Sequence, residues 1–204
     1  LAAELGPDGR LSGQLIYGLG AGIDAFWAMA EGGDASRVFA GFTTRMGGGG
    51  IDGLTLITDA KGELRLERAF GGSGYDRFTD VAMANDGYIF LGHSQAEGSD
   101  KRRVFLVKTD LEGRPLWQRI HNAPDSWGAL YIEPAGDGGF IIAGGTTVGG
   151  DGDLFAMKVD AEGLELWRKR AGTPDWDEVN HGLVVRPDGS IVLVGYTHKR
   201  GEEA

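Results

Sequence analysis

Four aspartates stand at nearly equal intervals along the 204-residue chain, at Asp24, Asp76, Asp125 and Asp177 in GAGID, GSGYD, NAPD and TPDWD, with spacings of 52, 49 and 52. Carboxylates brought to one place by such a repeat could supply oxygen ligands to a hard cation, and Ca²⁺ is the cation that this chemistry suits. The same position also suits a turn cap, in which each Asp accepts backbone N–H bonds beside the preceding Gly or Pro. A second set of candidates is aromatic or imidazole: Trp27, Phe42, His93, Trp127, Trp176, His181 and Tyr196. Phe42, His93 and Tyr196, with Gly145, fill the variable centre of a recurring Gly-x-Thr/Ser. Aromatics there could stack on a sugar ring or a peptide, or pack inside the protein. Trp27, Trp127, Trp176 and His181 lie near the first strand of a unit and could line a funnel. The four histidines show no metal spacing, and no G-x-S-x-G elbow occurs, so no catalytic residue is assigned.

The elements that must position these residues follow from a repeat. The turn glycine of GPDGR, AKGEL, LEGRP and AEGLE falls at Gly9, Gly62, Gly113 and Gly163, spaced by 53, 51 and 50. The glycine of VFAGFT, IFLGHS, IIAGGT and VLVGYT falls at Gly41, Gly92, Gly144 and Gly195, spaced by 51, 52 and 51. Two markers with one period define repeat units of roughly 1–50, 51–100, 101–150 and 151–204 within a single domain. Each unit reads as four short strands with period-2 alternation, joined by Asp-x-x-Gly turns, and no window carries a helical period. Four antiparallel strands per unit of about 50 residues is the pattern of a β-propeller. The chain opens with a third and a fourth strand (Leu1–Leu5 and Arg10–Tyr17) and ends with a first and a second. An all-β propeller of four blades is expected, closed by pairing Ile191–Thr197 with Leu1–Leu5. The four aspartates and the funnel residues would then ring one mouth. Trp117 and Trp167, one repeat apart, are expected in the core between blades. Arg168-Lys169-Arg170 and Lys101-Arg102-Arg103 read as charged edge strands.

The residues D-x-x-G-x-x-x-W, G-G-x-x-x-D and D-G-x-hydrophobic-hydrophobic-x-G-x-T resemble the bacterial β-propeller repeats of secreted and cell-surface proteins. The resemblance covers the whole chain and is weakest in residues 1–50. It implies a periplasmic, cell-surface or extracellular setting and a binding or scaffold role, and it carries no catalytic motif. GGGGID at Gly47–Asp52 and GGDGD at Gly149–Asp153 are similar to the Gly/Asp turns of calcium-binding β-rolls, without their nine-residue period.

Composition narrows the partners. Thirty acidic against twenty basic residues give a net charge of −10, which repels phosphate backbones and argues against nucleic acid. No cysteine is present, so disulfides and thiolate metal sites are excluded. No apolar run is long enough for a spanning helix, and direct membrane insertion is not expected. The start at Leu1 suits a processed or excised chain. The expected function is a non-catalytic module that engages a protein or glycan at one mouth, with Ca²⁺ the possible cofactor. Two alternatives stay open: a secreted hydrolase or lyase with its site in the funnel, and a structural subunit of a larger assembly.

Overall fold

The computed structural model describes residues 2–17, 21–122, 126–148, 151–173 and 176–199, and within these the side chains of Leu15, 126–129, 147–148, 151, 176–180 and 198–199 are not described. The protein is all-β, with sixteen strands and no helix among the described residues. Strands β1 (Ala2–Leu5) and β2 (Leu11–Leu15) form a two-stranded sheet. Sheet 1 holds β3 (Asp24–Glu31), β4 (Arg37–Thr43), β5 (Asp52–Thr58) and β6 (Leu64–Phe70). Sheet 2 holds β7 (Tyr75–Ala84), β8 (Gly87–Gln95), β9 (Arg103–Asp110) and β10 (Pro115–His121). Sheet 3 holds β11 (Ser126–Pro134), β12 (Phe140–Val148), β13 (Asp151–Val159) and β14 (Glu165–Ala171). A last two-stranded sheet holds β15 (Trp176–Val185) and β16 (Ile191–Lys199). All three four-stranded sheets are antiparallel meanders in chain order.

The turn between third and fourth strands repeats atom for atom. Asp59 Oδ1 accepts the N–H groups of Lys61 and Glu63 at 2.9 and 2.8 Å. Asp110 does the same for Glu112 and Arg114, and Asp160 for Glu162 and Leu164. Gly62, Gly113 and Gly163 follow with φ of 84°, 75° and 75°, the left-handed conformation that closes such a turn with a bulge. The aspartate therefore satisfies two backbone donors that a bulged turn leaves without ladder partners.

The Gly-x-Thr/Ser glycine has a different cause. Whereas in β11 the register shifts by two between Trp127 and Tyr131, in the first strands β3, β7 and β15 it slips by one residue, between Phe26 and Ala28, Phe78 and Asp80, and Asn180 and Gly182. This bulge pushes a carbonyl into the space that a side chain on the second strand would fill. A Cβ on Gly41 would stand 1.8 Å from the Ala25 oxygen, and one on Gly92 would stand 1.8 Å from the Arg77 oxygen. Only glycine fits opposite the bulge.

The sheets stack face to face. First strands lie against first strands, β3 on β7, β7 on β11 and β11 on β15. Between sheets 1 and 2 the core holds Val38, Ala40, Ile57, Phe78, Tyr88, Phe90, Phe105 and Val107; between sheets 2 and 3 it holds Ile89, Leu91, Leu106, Leu130, Ile142, Phe155 and Met157. Each sheet thus has two buried faces, which is why Phe39, Val38 and their neighbours are apolar in succession rather than in alternation. The turn glycine of one sheet seats against the fourth strand of the sheet before it. A Cβ on Gly113 would meet Leu66, and one on Gly163 would meet Trp117. The same turns accept hydrogen bonds across the interface: Arg68 Nη1 donates to the Gly113 oxygen at 3.1 Å, and His121 Nε2 lies 3.0 Å from that of Gly163.

The two-stranded sheets obey the same rules. Tyr17 Oη donates to the Gly62 oxygen at 3.1 Å, its ring lies 5.5 Å from Phe39, and Glu4 pairs with Arg37 at 2.7 Å, so β1–β2 packs on sheet 1 as sheet 1 packs on sheet 2. At the other end Leu183, Ile191 and Leu193 pack with Ile141, Ala143 and Trp167. The expected ladder between Ile191–Thr197 and Leu1–Leu5 is not among the strand pairings: β1–β2 and β15–β16 stand as separate sheets. Each packs on the sheet next to it in sequence.

Candidate functional site

Of the four spaced aspartates, the two whose side chains are described, Asp24 and Asp76, stand in different environments. Asp24 is in an ion chain: Arg45 Nε donates to its Oδ2 at 2.7 Å, and the other end of the guanidinium pairs with Glu67. Asp76 accepts the Gly72 N–H at Oδ2 over 2.9 Å. Asp125 lies outside the described residues; Asp177 pairs through its backbone with His198, and its side chain is not described. Among the described residues no group of three His, Asp or Glu side chains converges on a metal position.

A carboxylate outside this set, Asp52, is the one that approaches Asp76. The segments GGGGID (47–52) and GGSGYD (71–76) are twin loops that run side by side. Ile51 bridges Tyr75 in parallel, and the Asp76 N–H donates to the Ile51 oxygen at 2.7 Å. Each Asp closes its own loop on the N–H four residues earlier, Gly48 for Asp52 at 3.4 Å and Gly72 for Asp76. The loops press so closely that a Cβ on Gly48 or Gly49 would stand 2.9 or 2.6 Å from the oxygen of Gly72 or Ser73. Above Gly71, a Cβ would meet Asp52 Oδ1 at 2.3 Å and Asp76 Oδ2 at 2.7 Å, so the two carboxylates converge there. Asp52 is fully buried, and burial pushes its carboxyl above the ordinary range; the Gly48 and Gly49 N–H groups oppose that, and Asp76 adds to it. Its Oδ2 has no hydrogen-bond partner. The repeat period hides this pair, because the two loops are 24 residues apart rather than a full unit.

Beside the second loop a cleft of about 310 Å³ opens over sheet 2. The backbone of Gly71–Gly74 forms one wall. Asp76, Ser94, Gln95, Arg103 and Gln118 supply hydrogen-bonding groups, and Phe105 and Ile120 supply apolar surface. Gln95 Nε2 is tied to the Ser99 carbonyl. No ion pair holds Arg103 among the described residues. Because these side chains stand on four adjacent strands, the lining is set by the sheet rather than by mobile loops.

The aromatic candidates fall into two pairs at equivalent positions. Trp27 occupies the bulge of β3 and lies 5.3 Å from Phe42, with the Arg77 guanidinium 4.9 Å over its ring and 5.7 Å from that of Tyr75. His181 occupies the bulge of β15 and lies 5.2 Å from Tyr196. The first pair is covered in part by Arg77 of the next sheet; the second has no following sheet and Tyr196 is 47 % exposed. His93, at the same position in sheet 2, is completely buried in the stack. The side chains of Trp127 and Trp176 are not described.

One further carboxylate matters to the stack. Asp80, at the exit of the β7 bulge, accepts the N–H of Ile132 in sheet 3 at 2.9 Å and that of Val81 at 2.9 Å. Burial raises its pKa to about 6 against those two hydrogen bonds, and Glu133 adds to the rise. Comparison with known proteins returns no matching family model and no match among curated proteins.

Proposed function

We propose that the stacked sheets are blades of a β-propeller and that the chain is a non-catalytic binding module, whose partner is a glycan or a protein segment held in the cleft beside Gly71–Gly74. The cleft itself carries this reading. It combines donors and acceptors fixed on a sheet (Asp76, Ser94, Arg103, Gln118) with the apolar surface of Phe105 and Ile120. A sugar ring presents that mixture, hydroxyls around its rim and C–H groups on its faces, and so does an extended peptide. The repeat resemblance supports a setting in the bacterial envelope or outside the cell, where such partners are found. Screening the chain against glycan and peptide arrays tests the proposal, followed by Arg103→Ala and Gln118→Ala on any binder. Both substitutions are expected to weaken binding about tenfold or more, since each removes a charged or buried hydrogen bond to the ligand, with the melting temperature unchanged. Binding that survives both would overturn it.

The second reading, a hydrolase, rests on the convergence of Asp52 and Asp76, one a carboxyl whose pKa burial raises and the other a carboxyl that accepts the Gly72 N–H. Turnover of a glycan that Asp52→Asn abolishes would favour it over the binding module.

A further inference from the structure

A row of side chains crosses each four-stranded sheet at the level of the Gly-x-Thr/Ser hydroxyl, and sheet 2 breaks its charge pattern. The hydroxyl residue on the second strand pairs with a residue near the start of the third: Thr43 with Asp52 in sheet 1, Thr146 with Asp153 in sheet 3, and Ser94 with Arg103 in sheet 2. Where the row carries a carboxylate, the protein engages it. Asp153 is buried and pairs with Arg170 on the fourth strand at 3.0 Å, and Asp52 accepts the Gly48 N–H of its own loop. Arg103 has no such partner. The place that Arg170 takes in sheet 3, seven residues beyond the turn glycine, is Ile120 in sheet 2. No ion pair or side-chain hydrogen bond engages the Arg103 guanidinium among the described residues.

That guanidinium, partly buried, belongs to the wall of the cleft beside Gly71–Gly74. The other charges nearby do not answer it. Asp76 lies across Ser94 in the same row, is 3 % exposed and accepts the Gly72 N–H at 2.9 Å, and no ion pair joins it to Arg103. The loop leading into Arg103, residues 96–102, is balanced, with Glu97 and Asp100 against Lys101 and Arg102. A cation half out of water with no counter-ion suits a carboxylate, which the planar guanidinium fork binds through two parallel N–H···O bonds. Along the outer two strands, Ile120 stands opposite Phe105 and Gln118 opposite Val107, so Arg103, Ile120 and Gln118 follow one another in a line on one face. We infer that the ligand of this cleft is an acidic glycan: a uronic acid residue whose carboxylate pairs with Arg103, whose C–H face lies on the exposed Ile120, and whose hydroxyls, or those of the next sugar, meet Gln118. The cleft's volume of about 310 Å³ is at the small end for ligand sites, which suits a sugar ring or two better than a run of peptide.

This inference rests on the binding-module reading above and narrows it. Titration calorimetry with oligogalacturonate, oligoguluronate and hyaluronan fragments, each beside its carboxyl-reduced counterpart, tests it. At least one acidic series is expected to bind, with its reduced form weaker by about tenfold to a hundredfold, the range for losing a hydrogen bond to a charged group. Arg103→Gln is expected to bring the acidic oligosaccharide down to the level of the reduced one. Arg103→Lys should recover only part of the loss, since an ammonium keeps the charge without the fork. Strand content and melting temperature should not change in either variant, because Arg103 is held in its strand by backbone pairing with Ser94. Acidic and reduced forms bound alike, with Gln118→Ala weakening both, would overturn the acidic ligand and leave the glycan-binding module standing. Failure of every acidic series to bind, or binding that Arg103→Gln leaves intact, would also overturn the inference. Poly-glutamate bound more tightly than any uronate, and released by Arg103→Gln, would overturn it by assigning the cleft to an acidic peptide.

Discussion

Asp80 and Gly92 show how much a single residue decides when sheets stack on both faces. Asp80 is the more conditional of the two. Its carboxyl titrates near 6 in the folded chain and near 3.9 when unfolded, so the folded state holds the proton more tightly. Folding then loses stability as pH rises from about 4 to about 6, and the loss is complete above that. The turn aspartates Asp59, Asp110, Asp137 and Asp188 work the other way, since hydrogen bonds hold them below the ordinary value, and their contribution disappears only as pH falls below about 4. Asp80→Asn keeps an oxygen for the Ile132 N–H and has no charge to desolvate. Thermal melts should show its stability level between pH 4.5 and 7 where the parent declines, with a higher melting temperature than the parent at pH 7. Equal slopes would deny Asp80 its role. Gly92→Ala drives a methyl into the Arg77 carbonyl and is expected to cost about 3 kcal/mol in denaturant unfolding, the upper end for overpacking. Gly33→Ala, which meets nothing within 4 Å, should cost no more than about 0.5 kcal/mol. The sequence displayed Gly92 through its period but not the reason for it, because the bulge that demands it lies in another strand.

At the scale of the element, turn chemistry is local and was therefore legible. An Asp three residues before a glycine closes the same bulged turn at Asp59, Asp110 and Asp160, and the strands β13 to β16 overlap the segments read for them in the sequence. Trp117 and Trp167 lie in the packing between sheets, as their shared repeat position implied. What was not legible is contact between elements that keep a different spacing. The twin loops that join Asp52 to Asp76 are one example, and the Arg45 that claims Asp24 is another. The packing of one sheet on the next can be tested through the Trp117 and Gly163 pair, whose counterpart one repeat earlier is Leu66 and Gly113. Trp117→Ala is expected to destabilise the chain by about 3 kcal/mol, the low end for losing an indole because Trp117 is only half-buried. Trp117→Leu, which rebuilds the Leu66 arrangement, should cost less than half of that. If leucine proves no better than alanine, the two interfaces are not equivalent.

At the scale of the whole molecule the protein is a stack of alike sheets that ends in two unlike halves. Burial inside the stack is nearly complete, while Val184, Val192, Val194 and Tyr196 at one end and Met29 at the other stay open to water. The chain sequence announced both halves through the phase of its repeat; where the missing pairing is made depends on how far each sheet turns relative to the last, and no residue pattern encodes that angle directly. The central claim is that the two halves belong to one sheet. Amide hydrogen exchange on the 204-residue chain at high micromolar concentration measures it most directly. The account expects the outward amides of β1 and β16 to be protected to the degree of the β12–β13 ladder. Exchange of those amides at the rate of the open turn at Gly136–Gly138, whatever the concentration, would contradict it.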